Sequence, residues 1–171
     1  MVKKWPGDTG QEVSVACEEV LRITMPGISR DSLPDIKRLL QANVIDAKVI
    51  LGRPFHCYEY GGENICFFRQ NSPIVIHYNK DGGLPAKILF NLTGIKSAED
   101  IPAILGVVPA SPALEGPVGP YWNDINGVRQ LESHNPDFKY EGYFIYPIIL
   151  HIDKSPIPCN WKQGVNRIIN E

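Results

Sequence analysis

The sequence predicts an α+β fold: two amino-terminal helices packed on one face of a five- to six-stranded, mainly antiparallel meander sheet, followed by a Pro-rich segment and a short carboxy-terminal helix. Three observations predict it. Apolar residues recur at helical spacing before residue 43. From Ala47 to Leu92 the chain is a series of short apolar runs separated by Gly, Pro, Asn and Asp turns. Near the carboxy terminus, Phe144 to Leu150 forms a further apolar run.

The chain has 171 residues, of which 43% are hydrophobic, so it can bury a core unaided and residues 1–171 are expected to form a single domain. Lys and Arg number 17 against 19 Asp and Glu, a formal net charge of -2. That balance creates no global field for a polyanion and lowers the expectation of a nucleic-acid partner. Pro6 and Gly7 interrupt the charged amino-terminal stretch, so it lacks the apolar centre of a signal peptide. The run from Phe144 to Leu150 is too short to cross a bilayer. A cytoplasmic protein without membrane association is therefore expected. Cys17, Cys57, Cys66 and Cys159 show no Cys-x-x-Cys or zinc spacing, and in such a compartment they are expected as thiols, although Cys57 and Cys66 could face one another across a hairpin with the geometry for a disulfide.

In chain order, Thr9 and Glu12 have the form of a capping box, and Val13, Ala16, Cys17, Val20 and Leu21 follow on one helical stripe. Met25-Pro26-Gly27 ends that helix. Ser32 is the expected N-cap of a second helix, with Ile36, Leu39 and Leu40 on its buried side and Asn43 as its stop. Five strands are expected next: Ala47 to Leu51, Phe55 to Tyr60, Asn64 to Arg69, Ile74 to Asn79 and Ala86 to Leu92. Ser97 caps a short helix that buries Ile101, Ile104 and Leu105. Residues 106–120, with four prolines, read as a loop or arm. Tyr121 to Glu132 reads as a helical turn, Tyr140 to Asp153 as a last strand apolar on both sides, and Asn160 as the cap of a final helix. Pro147 suggests a bulge or an edge position in that strand.

Turn lengths set the register of the meander. The two-residue turn Gly61-Gly62 places Tyr60 opposite Glu63, Cys57 opposite Cys66 and His56 opposite Phe67. Continuing across the sheet, Ile65 falls opposite His77, and His77 opposite Lys87. One face then holds Phe55, Cys57, Cys66, Phe68, Ile74, Ile76, Tyr78, Ile88, Phe90 and Leu92, a core. The other holds His56, Tyr58, Arg69, His77 and Lys87 among Ile65, Phe67, Val75 and Leu89. Two imidazoles, a guanidinium and an ammonium beside a tyrosine ring suit an anionic or planar small molecule, or a protein surface. No carboxylate stands in the middle of this face. Its two histidines are on the order of 12 Å apart by strand spacing, so no metal site is expected.

No Gly-x-Ser-x-Gly elbow and no Gly-rich phosphate loop occurs, and no cofactor is expected. The reading that follows is an intracellular binding or assembly module without catalytic activity. It would use His56, Tyr58, Arg69, His77 and Lys87, together with the Pro-rich segment, to contact a protein partner or a second copy. The alternative is a small metal-independent ribonuclease. Two helices followed by a sheet bearing His, Glu and Arg resembles the barnase and RelE-like toxin arrangement in element order and residue types. There Glu59 or His56 would be the base, His77 the acid, and Arg69 and Lys87 the cations. Against it, Glu59 falls on the opposite face from the histidines.

Overall fold

The computed structural model describes residues 27–60, 62–79, 83–109, 112–116, 119–125, 128–134, 139–140 and 143–152. The helices expected at Thr9 to Leu21 and after Asn160 lie outside the described residues. Strand β1 (Ile28–Ser29) leads through a 3-10 turn to helix α1 (Ile36–Leu39), capped by Asp35, whose carboxylate accepts the Arg38 N–H at 3.2 Å. Helix α2 (Val44–Leu51) follows at once. Its cap is Asn43, whose Oδ1 accepts the Asp46 N–H at 2.9 Å, and it closes at Gly52 with φ 86°.

Strands β2 (His56–Tyr60), β3 (Glu63–Phe68), β4 (Ile74–Asn79) and β5 (Pro85–Thr93) form the meander. Helix α3 (Ile101–Ile104) comes next, then β6 (Leu114–Glu115), β7 (Pro120–Ile125), β8 (Val128–Ser133), β9 (Lys139–Tyr140) and β10 (Tyr143–His151). All belong to one 10-stranded sheet with the order β2-β3-β4-β5-β10-β8-β7-β6, while β1 lies parallel to β5 and β9 pairs with β10. The last long strand thus runs up the middle, joining the meander to the β6–β8 unit. Pro147 sits in this central strand where the β8 ladder stops at Ser133, and its carbonyl accepts the His134 N–H at 2.9 Å. A residue in an antiparallel strand points its N–H and C=O to the same side, so the proton that proline lacks faces β8's end and not β5.

The register of β2 to β5 agrees with the turn-length reading, including Cys57 opposite Cys66, Ile65 opposite His77 and His77 opposite Lys87. So does the core face, except at Phe55 and Cys57, which are exposed at the end strand. Cys66, Phe68, Ile74, Ile76, Ile88, Phe90 and Leu92 cluster with Ile36 and Leu39 of α1, Ala47 and Leu51 of α2, and Ile101 of α3. Leu131, Ile148 and Leu150 extend this cluster under the other half of the sheet.

The expected fold class is corrected in three places. The sheet is far larger than a five- to six-stranded meander, and among the described residues the helices are short, of 4, 8 and 4 residues, and include no pair of long amino-terminal helices as the main cover. Ala47 to Leu51 is the end of helix α2 and not a strand: Ala47 and Leu51, four apart, are buried, whereas Ile45 and Val49 are exposed. The β-branched residues there suggested a strand, but the Asn43 cap and the Gly52 stop outweigh their preference. Tyr121 to Glu132 is a hairpin and not a helical turn. Ile125 pairs with Val128, leaving only Asn126-Gly127 between the strands, the dipeptide most suited to a two-residue hairpin loop. Within the Pro-rich segment, Leu114 and Glu115 pair with Tyr121 and Pro120 and so form the far edge of the sheet.

Candidate functional site

On the face opposite the helices, Cα partners connect His77 to Lys87, Lys87 to His151, His151 to Gln130 and Gln130 to Asn123. These side chains form one polar row across β4, β5, β10, β8 and β7. The row is interior: His77 is 3% exposed, Lys87 8%, His151 4% and Gln130 6%. Beside it Ile65, Val75, Leu89 and Ile149 are buried too, outside the helix-covered cluster.

The five residues expected to form a contact surface therefore divide. His77 and Lys87 are neighbours in the buried row. His56 is exposed and Tyr58 half-buried on β2, the end strand of the described sheet, with their ring centroids 5.5 Å apart. Phe67 completes that aromatic group, 5.9 Å from the His56 ring and 6.1 Å from that of Tyr58. Arg69 leaves the strand altogether. Its φ is 56°, and its Nη1 donates to the Ser32 carbonyl at 3.0 Å, tying the β3–β4 turn to the segment before α1. Ile65, the Cα partner of His77, lies four residues from Arg69, which is about 13 Å along a strand.

Two buried carboxylates accompany the row. Glu63 Oε1 is 3.4 Å from His77 Nδ1. Glu132 Oε1 is 3.4 Å from His134 Nε2 and 3.7 Å from His151 Nε2. Burial works to raise the Glu132 pKa, but hydrogen bonds and charge from the two imidazoles outweigh it and hold the group at about 2. The carboxylate is thereby kept ionised between two buried rings. Among the described residues no group of three or more His, Cys, Asp or Glu is placed to hold a metal ion. Nothing in the sequence singled out Glu132 as the partner of His134 and His151. Asn126-Gly127 was the available signal for its strand alone, since that hairpin would have made Val128 to Ser133 a strand.

A different feature is open to solvent. Between α3 and the β6–β7 edge lies a groove of about 590 Å³ lined by Pro102, Val107, Val108, Pro112 and Trp122. Glu99 and Glu115 add carboxylates, and none of its lining residues is a cation. Both glutamates are exposed, and Val108 is 68% exposed at the groove. Trp122 forms part of the wall and is otherwise packed in the core. Pro109 and Pro112 cannot continue a helix, and the described residues 107–109 and 112–113 are neither helix nor strand. No protein-family model, no curated protein and no solved structure matches the chain.

Proposed function

We propose that this chain is an intracellular, non-catalytic binding module, and that its contact surface is the groove formed by the Pro-rich segment. The carrying observation is the composition of that groove: an apolar and proline-lined floor with Glu99 and Glu115 as its charged groups. Such a site favours a short apolar peptide segment with Lys or Arg at its flanks, because the floor removes apolar surface from water while the carboxylates select the sign of charge. The aromatic group of His56, Tyr58 and Phe67 on the end strand β2 supplies a second, smaller contact.

The ribonuclease alternative draws less support. Its proposed acid and one of its cations, His77 and Lys87, are buried, and Glu59 alternates with His56 and Tyr58 along β2, so it lies on the opposite face. A general acid must reach the leaving oxygen within hydrogen-bonding distance.

The test is a fluorescence titration with short synthetic peptides that share an apolar centre and carry Lys, Glu or no charge at both ends. Lys-flanked peptides are expected to bind best, and the double change Glu99→Lys with Glu115→Lys to transfer the preference to Glu-flanked ones. Equal binding of all three peptides would reject the groove as the site. A dimer that dissociates when the two glutamates are changed would assign the groove to a second copy. Metal-independent cleavage of single-stranded RNA, abolished by His77→Ala, would restore the enzyme reading.

A further inference from the structure

Cys57 and Cys66, expected as thiols, are joined by a disulfide across β2 and β3. They are direct partners in the ladder, with Cα atoms 4.1 Å apart. Their surroundings are unequal. Cys57 is exposed on the end strand, whereas Cys66 is 3% exposed and belongs to the core cluster. Against the bond lies a pocket of about 340 Å³, lined by both cysteines and by Val44, Glu59, Asn64 and Tyr78. Asn64, on the same face of the hairpin as the two cysteines, is exposed at this pocket. An accessible sulfur with a cavity beside it has space for the body of an attacking thiol, which a disulfide sealed in a core lacks.

We propose that Cys57 is a site of reversible modification by a small peptide thiol of the glutathione type, with the body of the thiol seated in this pocket. The thiolate attacks Cys57 Sγ. A new S–S bond forms there, the Cys57–Cys66 bond breaks, and Cys66 Sγ leaves with the electron pair and takes up the proton the incoming thiol released. One disulfide replaces another, so this step needs no outside oxidant or reductant. Attack by Cys66 on the mixed disulfide reverses it. A second thiol attacking the mixed disulfide instead leaves the protein as a dithiol and is itself oxidised to its own disulfide. The geometry selects Cys57 as the modified residue, because only that sulfur belongs to an exposed residue while its partner is enclosed by the core. The side-chain amide of Asn64, on the same face of the hairpin as the two cysteines, can pair with the peptide groups of the thiol, and Val44 offers it an apolar wall.

The full chain is incubated, folded, in buffers of graded reduced and oxidised glutathione, quenched in acid and mapped by mass spectrometry. The expected result is a glutathione adduct on Cys57 and none on Cys66. In parallel, Val44→Phe narrows the pocket and is expected to lower the glutathione adduct at Cys57 several-fold, while leaving the adduct formed by the much smaller cysteamine unchanged. Asn64→Phe blocks the same space from the exposed side and serves if Val44→Phe does not fold. Adducts on Cys66, passage to the dithiol with no adduct at Cys57, or equal loss of both adducts in the blocked variant would each overturn the proposal.

Discussion

Glu132 on β8 and His151 on β10 approach across adjacent strands, Oε1 to Nε2 at 3.7 Å, with His134 Nε2 3.4 Å from the same oxygen. One buried carboxylate therefore holds together the polar side of the sheet at the point where β10 meets the β7–β8 hairpin.

Acid should weaken this joint in a defined window. The Glu132 pKa is about 2 in the folded chain against an ordinary 4.5, so between those values the unfolded state binds more protons. Its stabilising contribution is complete above pH 4.5 and is lost as pH falls through 2. Glu132→Gln is expected to cost about 1–3 kcal/mol at neutral pH and to flatten the loss of stability in the acid window. Urea midpoints measured across that window for both proteins check this, and parallel curves would contradict it.

Tyr78 points the other way. It is 2% exposed and its hydroxyl has no hydrogen-bond partner among the described residues. Burial raises its pKa, so the phenol stays neutral well into the alkaline range. Removing an unpaired buried hydroxyl relieves a desolvation cost, and Tyr78→Phe is expected to leave stability unchanged or raise it by about 1 kcal/mol. A lower denaturant midpoint would reveal a bond that the phenol makes.

Helix α2 can be tested at an exposed position. Val49 is 78% exposed in α2. In a helix Val49→Ala should stabilise by about 0.5 kcal/mol, since the branched side chain loses rotamer freedom there; in a strand the sign would be opposite. Asn43→Ala should cost about 1 kcal/mol through loss of the cap. Thermal melts of the two variants should move in opposite directions.

Gly27 has φ 64°, and a Cβ placed there would lie 2.8 Å from the Asn91 carbonyl oxygen and 2.9 Å from the Asn91 Cβ. Backbone strain and the clash add, so Gly27→Ala is expected to cost about 2 kcal/mol or more and to loosen β1 from β5. Hydrogen exchange should show the amides of Ile28 and Ser29 losing protection first.

Of the five residues read from the sequence as a contact surface, four share a side of the sheet, and of those four His77 and Lys87 are interior while His56 and Tyr58 reach solvent. His56, Tyr58, His77 and Lys87 do share a side of the sheet, as the hairpin register required. Whether that side meets water depends on what packs against it. An alternation of polar and apolar residues reads alike for a wet face and for an interior with paired polar groups. The groove was legible only as a proline-rich stretch, since its concavity needs Trp122 and α3 brought together.

The local pairing of β2 through β5 follows from the order of residues along the chain. Short turns leave few ways to close a hairpin, and a slip of one residue would have exchanged Phe68, Ile76 and Phe90 with the side that holds His77 and Lys87, leaving those charged groups in the apolar core. The insertion of β10 between β5 and β8 was decided only by the tertiary structure. It put His151 beside Lys87 and Glu132, residues far apart in the chain. No turn dictates that choice: a long-range strand is selected by the total burial and polar pairing it completes, and these exist only once the rest of the sheet is in place.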